Sequence, residues 1–206
     1  MKFMLNATNS RYEFEEYDPE DSYDENLLGV DRYSFTGGIY IHASDDCDEE
    51  MRQIGSIQAT FLDEKLISNE QAGPLARIAD GIDEDSSKAF LYLEKSSAFH
   101  RSCSGGVQSL PFHSCYISTF YIDPVYRGQG LGTHLLKNLS RIYLHLFNVY
   151  INCVVVYPKP FCPKEEWRDQ NEKTYARKRM CEFFEKNGFE KIGDSGFYAR
   201  NYKIEL

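Results

Sequence analysis

From residue 121 to 133 the chain reads Tyr121-Ile122-Asp123-Pro124-Val125-Tyr126-Arg127-Gly128-Gln129-Gly130-Leu131-Gly132-Thr133. An apolar run precedes three glycines at alternate positions, and a helical pattern begins at once behind them. Glycine lets the backbone approach a ligand closely and take conformations barred to other residues. The first N–H groups of a helix have no internal partners and lie at its positive dipole end. Such a strand–turn–helix can hold a phosphate or pyrophosphate on main-chain donors. Spacing excludes two familiar versions of the device. No Lys-Ser or Lys-Thr pair follows, so it is not a P-loop. The alternate glycines break the Gly-x-Gly-x-x-Gly of a dinucleotide fold. What does fit is Arg-x-x-Gly-x-Gly, carried by Arg127, Gly130 and Gly132.

The elements that must position this turn are legible on either side of it. Cys115–Ile122 is rich in β-branched and aromatic residues and stops at Asp123-Pro124, which predicts a strand. From Gly130 to about Phe147, Leu131, Leu135, Leu136, Leu139, Ile142, Tyr143 and Leu146 recur at helical spacing, giving one buried stripe. Tyr150–Tyr157 holds Val154-Val155-Val156 and reads as an interior strand. A loop with Pro158, Pro160 and Pro163 follows, then a polar helix from about Arg168 to Lys186 that stops at Asn187-Gly188. Phe189–Ile192 and Phe197–Ile204 are two short closing strands. The order is strand, helix, strand, helix, strand, strand, an α/β pattern.

The first half is less patterned. Gly38–Ala43 and Ile54–Leu62 are strand candidates, with Asp63-Glu64 expected as a hairpin turn into Lys65–Ile67. Ala89–Leu93 fits a buried strand or part of a helix, which periodicity alone does not separate. Ser102–Gly106 is turn-like, and no internal repeat is present.

This motif segment resembles the coenzyme A signature of the GNAT acetyltransferase superfamily, Gln/Arg-x-x-Gly-x-Gly/Ala. The likeness continues into Phe183-Phe184-Glu185-Lys186-Asn187-Gly188-Phe189, similar to the Phe-Tyr-x-x-x-Gly-Phe run of that family, and covers about residues 115–205. The resemblance implies a GNAT-type α/β fold: a mixed, centrally splayed β-sheet flanked by helices, with residues 1–206 as one acetyltransferase domain. Acetyl-CoA as co-substrate would lie between diverging parallel strands Cys115–Ile122 and Tyr150–Tyr157. Main-chain groups of Tyr121 and Ile122 would hold pantetheine and thioester. The amides of Arg127, Gly128, Gln129, Gly130, Leu131, Gly132 and Thr133 would cradle the pyrophosphate. Many members carry a tyrosine at the position of Phe184, where its hydroxyl protonates the departing thiolate; phenylalanine has no proton to give. Cys181, one helical turn back, and Tyr157, at a strand end, are the candidate substitutes, each also readable as a space-filling residue. No Glu or Asp stands within Cys115–Ile122 to act as base. The amine acceptor can be deprotonated through water or by a residue of the first half, with desolvation lowering its pKa.

Composition narrows what such a chain would act on. The 206 residues hold 32 Asp and Glu against 23 Lys and Arg, a formal charge of −9. Residues 1–50 carry 14 acids and 3 bases, whereas the rest is close to neutral at +2. An acidic surface disfavours nucleic acid as a partner and attracts cations. The expected acceptor is therefore cationic: a small amine, a lysine side chain or a protein N-terminus. The plainer reading of the same block is a solvated face. No apolar run approaches the ~20 residues of a membrane span, and Met1-Lys2-Phe3-Met4-Leu5-Asn6 lacks the pattern of a signal peptide. A cytoplasmic protein with free thiols is expected from its six cysteines, with no membrane partner. A homodimer remains among the options. His100, Cys103, His113 and Cys115 offer zinc-type ligands, but their spacings match no common finger, so no metal is expected. A second functional class stays open, a GNAT-fold module that binds acyl-CoA as a sensor or scaffold without catalysis.

Overall fold

The computed structural model describes residues 2–9, 34–44, 52–70, 73–96, 112–160 and 170–202. Seven strands form one mixed sheet in the order β1-β2-β3-β4-β5-β7-β6. They are β1 (Lys2–Asn9), β2 (Ser34–Ser44), β3 (Arg52–Asp63), β4 (Phe112–Ile122), β5 (Tyr150–Val156), β6 (Glu190–Lys191) and β7 (Tyr198–Asn201). Between β3 and β4 lie α1 (Glu64–Asn69), α2 (Leu75–Asp80) and α3 (Glu84–Glu94). Helix α4 (Leu131–Phe147) links β4 to β5, and α5 (Gln170–Lys186) precedes β6. All neighbouring strands are antiparallel except β4 and β5. A parallel pair needs a crossover, and α4 supplies it.

Each face of the sheet has its own core. On one face, Leu135, Leu136, Leu139, Tyr143 and Phe147 of α4 and Phe184 of α5 pack on Ile39, Ile57, Phe61, Ile117 and Val156. This is the stripe that the 3.6-residue periodicity predicts. Tyr143 is fully buried, edge-on to Phe61 with ring centroids 4.9 Å apart; each such ring contributes about 1.5–3 kcal/mol of burial free energy. On the other face, Ile67, Leu75, Ala79, Ala89, Phe90 and Leu93 from α1–α3 pack on Tyr116, Cys153 and Val155. Strand β5 is therefore apolar on both sides, as an interior strand must be. Cys115, Cys153 and Cys181 are free thiols.

Two details of the first half settle differently from its sequence pattern. Asp63-Glu64 is not a hairpin turn: Asp63 Oδ1 accepts the Leu66 N–H at 2.9 Å, which starts helix α1 in place of a returning strand. An Asp three residues before an unpaired helical amide is a helix-start signal, and it overrides the weak turn pattern. Ala89–Leu93 lies within α3, whose N-cap Asp83 accepts the Ser86 N–H at 2.7 Å. Ser102–Gly106, and most of the acidic stretch (10–33 and 45–51), lie outside the described residues. Strand β1 ends and β2 begins at the sheet end that carries Asp63 and His113, and β2 ends and β3 begins at the end that carries Ile122. Among the described residues, no helix is long and apolar enough to cross a membrane.

At the first of these ends, Ser114 Oγ donates to Glu64 Oε1 at 2.5 Å, and His113 Nε2 lies 3.8 Å from Asp63 Oδ2. Burial holds the Glu64 carboxyl above the usual carboxylate range, against hydrogen bonds from Ser114 and Asn152 that pull it down. In the unfolded chain Glu64 loses its proton at lower pH than in the folded one. Its contribution to stability is thus fully present below the unfolded pKa and declines as pH rises through the folded value. Glu64→Gln should flatten the decline in urea-unfolding free energy between pH 4 and pH 7 relative to the unmodified protein.

Candidate functional site

Strands β4 and β5 pair from Phe112–Tyr150 to Ile117–Val156 and then part. Strand β5 ends there, while β4 continues to Ile122, still paired with β3 on its other side. A register shift opposite Gln58 and Ala59 bulges β4 at Ser118; such a bulge bends a strand and re-aims the side chains beyond it. The gap so opened is the mouth of the site.

The turn that follows is built by short-range contacts. Asp123 donates its N–H to Ile54 O at 2.7 Å, and its carboxylate accepts the Val125 N–H at 3.0 Å, capping a 3-10 turn over Pro124–Tyr126. Gly128 and Gly130 then take φ of +79° and +83°, a left-handed geometry that costs other residues about 1–2 kcal/mol. Gly132 is glycine for a different reason. A Cβ there would lie 3.0 Å from the Phe183 ring and 3.2 Å from Ile122 Cδ1. The first intrahelical bond of α4 runs from His134 N to Gly130 O at 2.9 Å. The amides of Leu131, Gly132 and Thr133 are therefore outside the helical ladder.

These groups open into a cavity of about 460 Å³. Tyr121, Ile122, Arg127, Gly128, Gly130, Leu131, Gly132 and Thr133 line it; Gln129 does not, its side chain donating instead to Val125 O at 3.3 Å. The Ile122 carbonyl, expected to face a pantetheine, accepts from Arg127 Nε at 2.7 Å, and the Arg127 guanidinium lies over the Tyr121 ring. The opposite wall comes from α5 through Ala176, Arg179, Met180, Phe183 and Lys186. Sequence reasoning does not find that wall. Its signal is a stripe of Ala176, Met180 and Phe183 at helical spacing, flanked by two cations, inside a helix that reads as polar throughout. Among the described residues, three cations and no carboxylate line the cavity, so their field favours an anion.

The proton-donor candidates lie elsewhere. Tyr157 accepts from Arg177 Nη2 at 2.9 Å through its hydroxyl and packs on Phe197. Cys181 faces β7, where it shares a hydrogen bond with Tyr198; desolvation and then that bond raise the Tyr198 hydroxyl. Neither residue lines the cavity, and the two are not brought together. Phe184 is 1 % exposed and stacked edge-on against Phe120, Phe183 and Phe189. His113 lies beside Asp63, and Cys115 packs in the α4 core.

Residues 99–191 match the family described as the acetyltransferase (GNAT) domain. The likeness to a GNAT acetyltransferase domain thus covers the part of the chain from β4 through β6. Among solved structures it is similar to an agmatine N-acetyltransferase in its apo form, at 16 % identity over 90 % of this chain and 82 % of that one, TM-score 0.33. It is also similar to a Drosophila melanogaster polyamine N-acetyltransferase described as forming N-acetylagmatine, at 15 % identity over 92 % and 85 %, TM-score 0.32. No curated protein sequence matches the chain. In this chain the ring of Phe184 belongs to the core and not to the cavity wall. Phe184→Tyr should therefore bury a hydroxyl at a cost of about 1–3 kcal/mol and add no transfer activity. A denaturation midpoint and an acetyl-transfer assay on the same variant check both parts.

Proposed function

We propose that this GNAT protein transfers an acetyl group from acetyl-CoA to a primary amine, with a cationic small molecule or a protein lysine or N-terminus as acceptor. The observation that carries this reading is the cavity at the parting of β4 and β5, with left-handed glycines at one wall and Arg127, Arg179 and Lys186 around it. The donor set fits the cofactor's parts. Amides outside the helical ladder and three cations suit a pyrophosphate, and Phe120, Ile122, Met180 and Phe183 suit an aliphatic arm.

When bound, acetyl-CoA supplies a thioester whose carbonyl carbon is open to a nitrogen lone pair. The work of the chain is then positional. The α4 amides with Arg179 and Lys186 hold the anionic end, and the apolar wall keeps water from the thioester. Orienting amine and thioester in one site can supply several kcal/mol of the barrier, roughly 7–11 at the limit. The C–N bond forms as the C–S bond breaks. One proton leaves nitrogen and one is taken up by sulfur, so no oxidant or reductant is needed. The acidic block at residues 1–50 favours a cationic acceptor and a site of action in the cytoplasm suits this chemistry.

A second reading, an acyl-CoA sensor without catalysis, is favoured by one observation: Phe184 carries no hydroxyl and lies buried. Both readings require the cavity to bind CoA. Gly130→Glu, which sets a bulky anion at a left-handed position, should abolish thermal stabilisation by CoA while circular dichroism stays native. Arg179→Glu combined with Lys186→Glu should weaken CoA binding at low salt, with the deficit shrinking as salt screens the charges. Unchanged CoA binding in both variants overturns the cavity assignment. Catalysis separates the two readings: CoA release from acetyl-CoA with a panel of cationic, neutral and anionic amines should be fastest with cations, most clearly at low salt. The absence of CoA release above background with every amine supports the sensor, and preference for anionic amines refutes the acceptor class.

A further inference from the structure

The peptide that joins Ile122 to Asp123 is trans, and its N–H donates to Ile54 O on β3 at 2.7 Å. In a planar trans peptide the carbonyl points opposite to the N–H. The Ile122 carbonyl therefore faces away from β3, toward the side on which β5 has parted from β4. A main-chain carbonyl on an unpaired edge needs a donor, and here a side chain supplies it: Arg127 Nε reaches the oxygen at 2.7 Å. The Arg127 guanidinium also lies over the Tyr121 ring, 5.7 Å from its centroid. Tyr121, Ile122 and Arg127 all line the cavity. Arg127 is exposed, and no carboxylate pairs with it among the described residues. Its backbone is fixed separately, by its N–H on Pro124 O at 3.2 Å. The side chain can therefore swing without unmaking the turn.

The present partner of Arg127 is a neutral carbonyl, whereas a guanidinium binds phosphate more strongly, through paired charge-assisted hydrogen bonds. A ligand that offers an amide N–H to the parted edge must take the Ile122 carbonyl from Arg127. A ligand that also carries a phosphate gives the guanidinium a better partner at the same time. We propose that Arg127 is the residue by which this cavity selects phosphorylated pantetheine thioesters, CoA esters among them, over unphosphorylated ones. Its side chain guards the Ile122 carbonyl in the free protein and leaves it for the phosphate of the ligand. This inference rests on the CoA-binding reading above and deepens it, since one side chain both attracts the phosphate and excludes a bare pantetheine arm. Phosphate binding and amide binding are thereby coupled, and the coupling is reciprocal. An arginine that merely attracted phosphate would weaken CoA binding on removal and leave pantetheine as it was. A guard gives the two ligands opposite signs.

The test titrates pantetheine, phosphopantetheine and CoA calorimetrically into the full chain and into Arg127→Met, which keeps an unbranched apolar stem and loses every donor. Arg127→Met should bind phosphopantetheine and CoA about tenfold more weakly than the unmodified protein, the size of one charge-assisted hydrogen bond. The same variant should bind pantetheine about threefold to tenfold more tightly, because the carbonyl is already open. Inorganic pyrophosphate should tighten pantetheine binding to the unmodified protein, by drawing Arg127 off the carbonyl, and should not do so in Arg127→Met. Arg127→Ala repeats the series with a side chain too short to reach the carbonyl, and circular dichroism checks that both variants fold. Pantetheine affinity that rises in neither variant, with CoA still bound by the unmodified protein, overturns the guard and leaves the cavity reading intact. Phosphopantetheine that binds the unmodified protein no better than pantetheine overturns the selection. Failure of the unmodified protein to bind CoA overturns the cavity reading and this inference together. Every readout is a binding constant, so the presence or absence of acetyl transfer bears on none of them.

Discussion

Two parallel strands that cease to pair at Ile117 and Val156 create the space on which everything else in this protein depends. A strand edge inside a sheet leaves main-chain groups without their ladder partners, and these must be satisfied by water, by side chains or by a ligand. The parting cannot close, because β4 is bulged at Ser118 and β5 has already ended. Strand β4 is held to its last residue by β3 on the other side. The glycine turn and the start of α4 are thereby carried to one rim of the gap, and α5 crosses the other.

The two sheet faces divide the labour. Helices α4 and α5 bury an aromatic core and line a cavity that is cationic and apolar, a match for a long anionic cofactor. Helices α1–α3 cover the reverse face, where Ile67, Leu75, Ala89, Phe90 and Leu93 share a second core with Tyr116, Cys153 and Val155.

Legibility followed the range of the interactions. Helix α4 was readable because its stripe of leucines repeats every 3.6 residues, and β5 because valines buried on both faces leave an unbroken apolar run. The glycine turn was readable because backbone geometry is a local demand. The first half was harder. Asp63 reads equally as turn or cap until Leu66 supplies the amide, and Ala89–Leu93 is apolar in a way that suits helix or strand. At Phe184, sequence position suggested a site and packing assigned the core: three neighbouring phenylalanine rings enclose it.

By itself the sequence determined the α/β order, the glycine turn at Arg127–Thr133 and the segregation of charge, since each depends on residues adjacent in the chain or one helical turn apart. Tertiary structure alone decided what faces that turn. Arg179 and Lys186 reach the cavity because α5 crosses the gap, some fifty residues along the chain from the glycines they oppose. Tyr116 shares a core with Phe90 and Leu93 because α3 packs across β4. Such encounters follow from how the sheet orders its strands, and no local pattern encodes them. Within a chain that is acidic as a whole, the described residues around that cavity include three cations and no carboxylate.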